Sequence, residues 1–194
     1  MKKELHIYIF RHGETTYNRD KRFTGFHNPN LTKAGLKQAH VVEKKLKNKE
    51  FQAAFYTRLK RSKKTLDIIL KYHPECKIIK KDDRIIERNY GSLNGTLHKN
   101  YIKNNSIDQF NKIHRDFYAR PPKGESFSDV EKRVFSFIKD LKKFMIKNKV
   151  NVAISAHGNS IRLFRKIMEK APINKSCKWV IPYDKVFHYK LKIL

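Results

Sequence analysis

Short apolar segments alternate with longer amphipathic segments along this 194-residue chain, and this alternation strongly limits the folds open to it. The sequence predicts strands over residues 5–10, 51–56, 76–79, 150–155 and 186–193. It predicts helices from the N-cap Thr32 to about Asn48, over 59–72, in one or two pieces before Pro121, from the N-cap Ser128, and from about Asn159. Strands that alternate with helices favour an α/β fold with a mainly parallel sheet. No linker or repeat divides the chain, so we expect a single domain over residues 1–194.

Two histidines, His12 and His157, follow predicted strands directly, and each precedes a glycine. A lone histidine is usually structural or solvated, but functional groups gather beyond the carboxyl ends of parallel strands, and glycine lets a ligand approach the backbone. Arg11, beside His12, can bind phosphate oxygens through two N–H groups. Because a neutral imidazole can attack phosphorus and phosphoryl transfer depends on surrounding positive donors, the pattern indicates phosphoryl-transfer chemistry.

The net charge of +27 is the strongest compositional feature and would attract any polyanion. A nucleic-acid-binding protein would be expected to concentrate its charge in a stripe, an arm or a recognisable module. Here the lysines are spread from Lys2 to Lys192, and no such module is present in the sequence. We therefore expect no specific nucleic-acid partner, although the cationic surface could help to steer anionic metabolites.

The remaining composition predicts an ordinary protein of a reducing compartment. Cys76 and Cys177 match no metal-binding spacing, so we expect two buried thiols and no metal. The first apolar run, over residues 7–10, is far too short to act as a signal or to cross a membrane. We expect no membrane association and a cytoplasmic location.

The segment 11–18, with the sequence RHGETTYN, resembles the signature of the histidine phosphatase superfamily. The segments 23–26 and 31–35 narrow the resemblance to the cofactor-dependent phosphoglycerate mutase branch. The segments 56–61, 87–95 and 156–162 agree with that branch, and 121–126 is similar to its shorter bacterial members. The similarity runs from about residue 5 to the end of the chain. It implies a phosphoglycerate mutase-like fold, a three-layer sandwich with a mainly parallel central sheet flanked by helices.

The resemblance also implies roles for individual residues. His12 would be the phosphorylated nucleophile, and Glu87 would be the general acid and base. Groups around the transferred phosphoryl would be Arg11, Arg61, His157, the amide of Gly158 and the side chain of Asn18. Residues that hold the substrate would be Thr24, Gly25, Arg88, Tyr90 and Asn159. Taken alone, Glu87 would be interpreted as a surface carboxylate paired with an arginine, and Arg61 as a solvated helix cation.

The chain departs from this family at several positions. The substrate-binding lysine of the family falls at His98, with Lys99 beside it, and its paired arginines fall at His114 and Arg115. Histidines in place of permanent cations should weaken the grip on a second phosphate or carboxylate, especially above neutral pH. The chain also stops at Leu194, where many mutases carry a tail that excludes water, so we expect the phosphohistidine to be more open to hydrolysis.

The preferred function is therefore a glycolytic and gluconeogenic mutase that interconverts 2- and 3-phosphoglycerate, is primed by 2,3-bisphosphoglycerate and needs no metal. Its partners would be small phosphorylated three-carbon acids, and a homodimer is left open. The runner-up is a phosphatase, in which water takes the phosphoryl group from His12. A third alternative, a non-enzymatic polyanion-binding protein, is motivated by the charge alone.

Overall fold

The computed structural model describes residues 4–193 and contains one sheet surrounded by helices. The strands are β1 (Glu4–Arg11), β2 (Ala53–Tyr56), β3 (Ile78–Lys81), β4 (Val152–Ala156) and β5 (Val186–Lys192). The helices are α1 (Thr16–Arg19), α2 (Lys33–Leu46), α3 (Lys60–Leu70), α4 (His98–Asn104), α5 (Ile107–Arg115), α6 (Phe127–Asn148), α7 (Gly158–Met168) and α8 (Ile173–Ser176). Two 3₁₀ turns, Asp83–Ile85 and Gly91–Leu93, lie before α4.

The strand order in the sheet is β3-β2-β4-β1-β5. Strands β1 to β4 pair in parallel, and β5 runs antiparallel to β1 at the edge. This arrangement confirms the predicted α/β fold with a mainly parallel sheet. Strand β1 lies next to β4, with Arg11 in register with Ala156. Because parallel neighbours end at the same edge of a sheet, this register brings His12 and His157 to one place.

Each face of the sheet packs against its own layer of helices, which confirms the three-layer arrangement. On β1, Leu5, Ile7 and Ile9 join a core with the buried stripe of α6 and with α7. Tyr8 and Phe10, on the opposite face, join a second core with residues of α2 and α3. This alternation is the period of two that a strand covered on both sides requires. Each fully buried aliphatic or aromatic side chain contributes about 1.5–3 kcal/mol.

The helix boundaries test the predicted caps. Thr32 caps α2, since its hydroxyl accepts a hydrogen bond from the Gly35 amide at 2.9 Å, as predicted. The prediction that Ser128 caps the long helix was wrong by two residues. Ser126 is the N-cap, because its hydroxyl accepts from the Asp129 amide and the Asp129 carboxylate accepts from the Ser126 amide. This reciprocal capping box satisfies two helix-end donors and starts α6 earlier.

Further differences concern strand starts and short helices. Strands β2, β3 and β4 each begin two residues after their predicted starts, and the four-residue helices α1 and α8 were not predicted. Cys76 and Cys177 are both buried free thiols, as expected. Burial raises the pKa of Cys76 to about 11 and also raises that of Cys177. Within residues 4–193, no helix combines the length and the apolar character needed to span a bilayer.

Candidate active site

The two histidines predicted from the sequence meet at the carboxyl edge of the sheet. Their ring centroids lie 5.0 Å apart, and both rings are almost completely buried. His12 extends the pairing of β1 with β4, since its amide donates to the carbonyl of Ala156 at 3.1 Å. Gly13 allows the turn that follows to lie against α2, because a Cβ there would fall 2.1 Å from the Gly35 carbonyl oxygen. The strand register and this close approach together fix the position of the His12 ring.

The hydrogen bonds of His12 define which ring nitrogen carries the proton and which carries the free lone pair. Nδ1 lies 2.7 Å from the carbonyl oxygen of Gly13, and a carbonyl can only accept, so Nδ1 carries the proton. Nε2 therefore holds a lone pair. Burial, followed by the charges of Arg61 and Arg11, lowers the pKa of His12 well below its usual value. The ring is consequently neutral at pH 7, which is the form that can attack phosphorus.

Arg61 lies beside that nitrogen as a fixed, buried cation. Its Nε donates to Nε2 of His12 at 3.2 Å, and its two remaining nitrogens donate to the backbone carbonyls of His27 and Gly25 at 2.6 and 2.9 Å. Gly25 supplies its carbonyl from a left-handed conformation with φ +46°, which favours glycine. Burial lowers the pKa of Arg61 to about 10, so the guanidinium remains charged at neutral pH.

His157 is held by a residue that sequence reasoning did not assign. Its Nε2 lies 2.8 Å from the hydroxyl of Thr57, and its Nδ1 is buried without a hydrogen-bond partner among residues 4–193. If the Thr57 hydroxyl donates to Nε2, the ring proton resides on Nδ1. Burial, with the charge of Arg61 as the next cause, lowers the pKa of His157 well below its usual value. A neutral ring with Nδ1–H is a donor available to a phosphoryl oxygen.

Glu87 approaches both histidines from the segment between the two 3₁₀ turns. One carboxylate oxygen, Oε1, accepts from the backbone amides of Arg88 and Asn159 at 2.8 and 3.1 Å. The other oxygen makes no hydrogen bond in the described part of the chain. Ligand atoms of Glu87, His12 and His157 all lie within 4.8 Å of one another. The carboxylate is thus anchored through one oxygen, with the second free for proton transfer.

A cavity of about 210 Å³ lies beside the buried group formed by His12, His157 and Glu87, and Glu87 also lines the wall of the cavity. Of the residues predicted from the sequence, its wall includes Arg11, Asn18, Thr24, Gly25, Glu87, Tyr90, His98, His114, Gly158 and Asn159. Arg11 is oriented by the carbonyl of Ile181, which accepts from Nη1 at 2.9 Å, and by the ring of Tyr183, 4.0 Å from the guanidinium carbon. Its Nε is buried and makes no hydrogen bond within residues 4–193. This N–H is therefore a second free donor, besides Nδ1 of His157.

Three predicted substrate-binding residues are not brought to the cavity wall. Arg88 is fully buried and donates to the carbonyls of Glu125, Ile113 and Ala119, so its guanidinium joins backbone segments instead. Lys99 is exposed, and Arg115 donates to the carbonyl of Cys177 on another surface. For Lys99 and Arg115 the reason is helical geometry, since neighbours in α4 and α5 point about 100° away from His98 and His114.

His98 and His114 do line the cavity, but they lie in an aromatic cluster. Their ring centroids are 5.4 Å apart, that of His98 lies 4.5 Å from Phe23, and that of His114 lies 4.9 Å from Phe110. Burial lowers the pKa of His98 to about 4 and that of His114 to about 3. Weaker binding of a second phosphate or carboxylate was expected mainly above neutral pH, and this expectation needs correction. Both rings are already neutral well below pH 7, so neither supplies a positive charge under physiological conditions.

Several wall residues were missed in the sequence. Arg162 is held by Asn159 and by the carbonyl of Trp179, and it occupies the end of the segment 156–162 that carried the resemblance. Thr57, which contacts His157 and does not line the cavity, also lay inside a resembling segment without being assigned a role. Tyr183, in the loop before β5, and Lys21 and Arg22, between α1 and Phe23, had no distinguishing sequence signal. Only the folded chain brings these loops to the cavity.

The three ligand atoms of His12, Glu87 and His157 also invite the question of a metal. The guanidinium of Arg61 already donates to Nε2 of His12, and Arg11 lies nearby, so the group is surrounded by fixed positive charge. Such surroundings favour an anion over a cation. The prediction of a metal-free site stays a prediction that the electrostatics support.

Comparison with known sequences assigns the family. A sequence model of the Histidine phosphatase superfamily (branch 1) matches residues 7–191. This chain belongs to that superfamily. It is 34% identical to "Phosphoglycerate mutase" of Schizosaccharomyces pombe over 160 residues, covering 80% of this chain and 75% of that protein. It is also 34% identical to "2,3-bisphosphoglycerate-dependent phosphoglycerate mutase" of Bartonella henselae over 170 residues, covering 86% of this chain and 82% of the relative.

Solved structures of the superfamily agree on the fold. The alpha-ribazole phosphatase of Shigella flexneri superimposes with a TM-score of 0.81 at 20% identity, covering 95% of this chain and 90% of the other. Since this neighbour is a phosphatase and the sequence relatives above are mutases, the fold alone does not select between these activities.

Proposed function

We propose that this protein is a phosphohistidine enzyme that interconverts 2- and 3-phosphoglycerate, with Nε2 of His12 as the nucleophile. The observation that carries the proposal is the arrangement around that atom. Its lone pair is fixed by the hydrogen bond of Nδ1 to Gly13, and Nε of Arg61 lies 3.2 Å away. Two buried donors, Nε of Arg11 and Nδ1 of His157, have no partner within residues 4–193. These three N–H donors around one nucleophilic nitrogen could donate hydrogen bonds to the equatorial oxygens of a phosphoryl group.

In the proposed first half-reaction, the free hydroxyl of the monophosphorylated three-carbon acid attacks the phosphorus carried by Nε2 of His12, so that a P–O bond forms while the P–N bond breaks. Glu87 takes the proton of that hydroxyl, because its anchored position leaves one carboxylate oxygen free. The product of this step is bound 2,3-bisphosphoglycerate. In the second half-reaction, Nε2 attacks the other phosphate group, a P–N bond forms while that P–O bond breaks, and Glu87 returns the proton to the leaving oxygen. Free enzyme would be primed by 2,3-bisphosphoglycerate, which gives one phosphoryl group to His12.

The mutase identity of the sequence relatives supports this choice, as does the cationic cavity wall. Arg11, Arg22 and Arg162 line the cavity that adjoins the buried group, and a three-carbon acid carries a carboxylate besides its phosphate. The cavity of about 210 Å³ suits a small, highly charged substrate more than an extended one.

The proposal is tested by incubating the protein with 2,3-bisphosphoglycerate and mapping the acid-labile phosphate. We expect the label on His12, and we expect His12→Gln to lose both label and turnover by roughly 10⁴-fold or more. His40, a largely exposed histidine of α2, provides the matched control His40→Gln, which should behave as wild type. Label on another residue, or turnover that survives in His12→Gln, would overturn the proposal.

A phosphatase remains the second candidate, and one observation favours it. The rings of His98 and His114 are neutral, so two positions on the cavity wall offer no charge to a second anionic group of the substrate. A substrate that is held less firmly gives water more opportunity to reach the phosphohistidine. Simultaneous measurement of 2-phosphoglycerate formation and orthophosphate release from 3-phosphoglycerate decides between the two: an excess of orthophosphate favours the phosphatase.

A further inference from the structure

Among the cations that line the cavity, one differs from the others in its hydrogen bonding. Arg11, Arg22 and Arg162 each donate at least one hydrogen bond to a protein oxygen: the carbonyls of Ile181 and Gly95, and the side chain of Asn159, respectively. Lys21 also lines the cavity, but its ammonium group makes no hydrogen bond and no ion pair with any residue from 4 to 193. All three of its N–H donors are therefore available to a ligand.

The backbone holds Lys21 at this position in an unusual way. Its φ angle is +55°, a left-handed conformation that costs a non-glycine residue about 1 kcal/mol or more. The carbonyl of Lys21 accepts from the amide of His98 at 2.8 Å, and the adjacent residues Arg22 and Leu97 form an isolated bridge. Lys21 is thus attached by its backbone to the first turn of α4, which carries the neutral ring of His98.

The neutral ring of His98 and the depth of His12 both bear on what Lys21 could bind. His98 has no charge to offer, and the ammonium of Lys21 is near enough to be the second cause, after burial, of the low pKa of that ring. His12 is 1% exposed at the base of the site, whereas Lys21 is exposed at its rim. A substrate whose phosphoryl group reaches His12 would therefore present its other anionic group towards the rim.

We propose that Lys21 binds the carboxylate, or the second phosphate, of the substrate and so supplies the positive charge that His98 lacks. This inference rests on the proposed function, because it assumes that the phosphoryl group is transferred to His12. It makes Lys21 a determinant of specificity: the enzyme should distinguish phosphate esters that carry a second anion from those that do not.

The test compares two lysines with the same backbone conformation. Lys21→Asn removes the charge with a residue that tolerates positive φ, and Lys149→Asn does the same at the exposed C-cap of α6, where φ is +53°. We expect Lys21→Asn to lower kcat/KM for 3-phosphoglycerate roughly tenfold relative to Lys149→Asn, mainly through KM. The loss for p-nitrophenyl phosphate, which has no second anion, should be several times smaller. Between about 0.1 M and about 1 M salt the difference should shrink, because salt screens an exposed charge.

Moving the positive charge from residue 21 to residue 98 tests the assignment more directly. In the Lys21→Asn background, His98→Lys should recover most of the lost affinity, and Lys21→Arg should retain it. Lys21→Met provides a neutral side chain of similar length if the asparagine variant fails to fold. Equal kinetics of Lys21→Asn and Lys149→Asn, or equal losses with both substrates, would overturn the inference. Wild-type protein that acquires no phosphate on His12 would instead contradict the proposed function itself, so the two failures are distinguishable.

Discussion

The hydroxyl of Thr57 lies 2.8 Å from Nε2 of His157, and this single contact between strand end and helix start controls which nitrogen of the buried ring can donate. Thr57 directly follows β2, and His157 directly follows β4, its neighbour in the sheet. The side chain that orients His157 is therefore itself positioned by strand pairing.

Removing that hydroxyl should impair transfer without altering the nucleophile. We expect Thr57→Val to lower kcat by about tenfold to a hundredfold, because the ring of His157 loses the partner that fixes its proton on Nδ1. Thr57→Ser retains the hydroxyl and should stay within a few-fold of wild type. Steady-state kinetics on the three proteins check this, and similar rates for the valine and serine variants would count against the assigned tautomer.

Glu87 offers a test of proton transfer. Glu87→Gln keeps an oxygen that can accept from the amides of Arg88 and Asn159, so the site geometry should persist. We expect kcat with 3-phosphoglycerate to fall by about 10²–10⁴-fold, because the amide cannot shuttle a proton. With p-nitrophenyl phosphate, whose leaving group needs little protonation, formation of the phosphohistidine should fall much less. Equal losses in the two assays would argue that Glu87 acts only in binding or structure.

We expect Arg61 to have both a chemical and a structural role, which different substitutions separate. Arg61→Lys keeps a charge but cannot contact His12, His27 and Gly25 together, and we expect roughly 10²–10³-fold lower kcat with a folded protein. Arg61→Ala also leaves the carbonyls of His27 and Gly25 without their donor, and the buried Gly25 carbonyl should cost about 1–3 kcal/mol of unfolding free energy. Kinetics and urea denaturation of both variants check the prediction. A lysine variant with wild-type kcat would contradict the role of the guanidinium.

The buried histidines should make the fold sensitive to acid. Burial lowers the pKa of His114 to about 3, whereas an unfolded histidine titrates near about 6.5. Between these two pH values the unfolded chain binds a proton that the folded chain does not. The free energy of unfolding is therefore fully present above about pH 6.5 and declines as the pH falls. Each such histidine lowers it by at most about 1.4 kcal/mol per pH unit. Urea denaturation across this range should give a shallower decline for His114→Phe than for wild type. His40→Gln is the control, and an unchanged slope in His114→Phe would refute the assignment.

Much of the architecture could be predicted before the fold was known. The alternation of apolar and amphipathic segments predicted the mainly parallel α/β sheet, and strand ends carrying histidine and glycine predicted that His12 and His157 lie close together. Local signals were less reliable where two competed: Ser126 and Ser128 are both suitable caps, and only the reciprocal bonds to Asp129 decide between them. Predicted neighbours such as Lys99 and Arg115 failed to reach the cavity because sequence adjacency does not specify which side of a helix faces it.

By itself, the sequence determined the chemistry available to this protein: an imidazole after the first strand, a second after the fourth, and arginines and a glutamate in segments that resemble one family. Tertiary structure alone decided how each group behaves. The ionisation of His98 and His114 depends on the aromatic neighbours that exclude water from them, and the availability of the Lys21 ammonium depends on which acceptor groups the fold places near it. Both are properties of contacts between residues distant in the chain, and no local pattern encodes them.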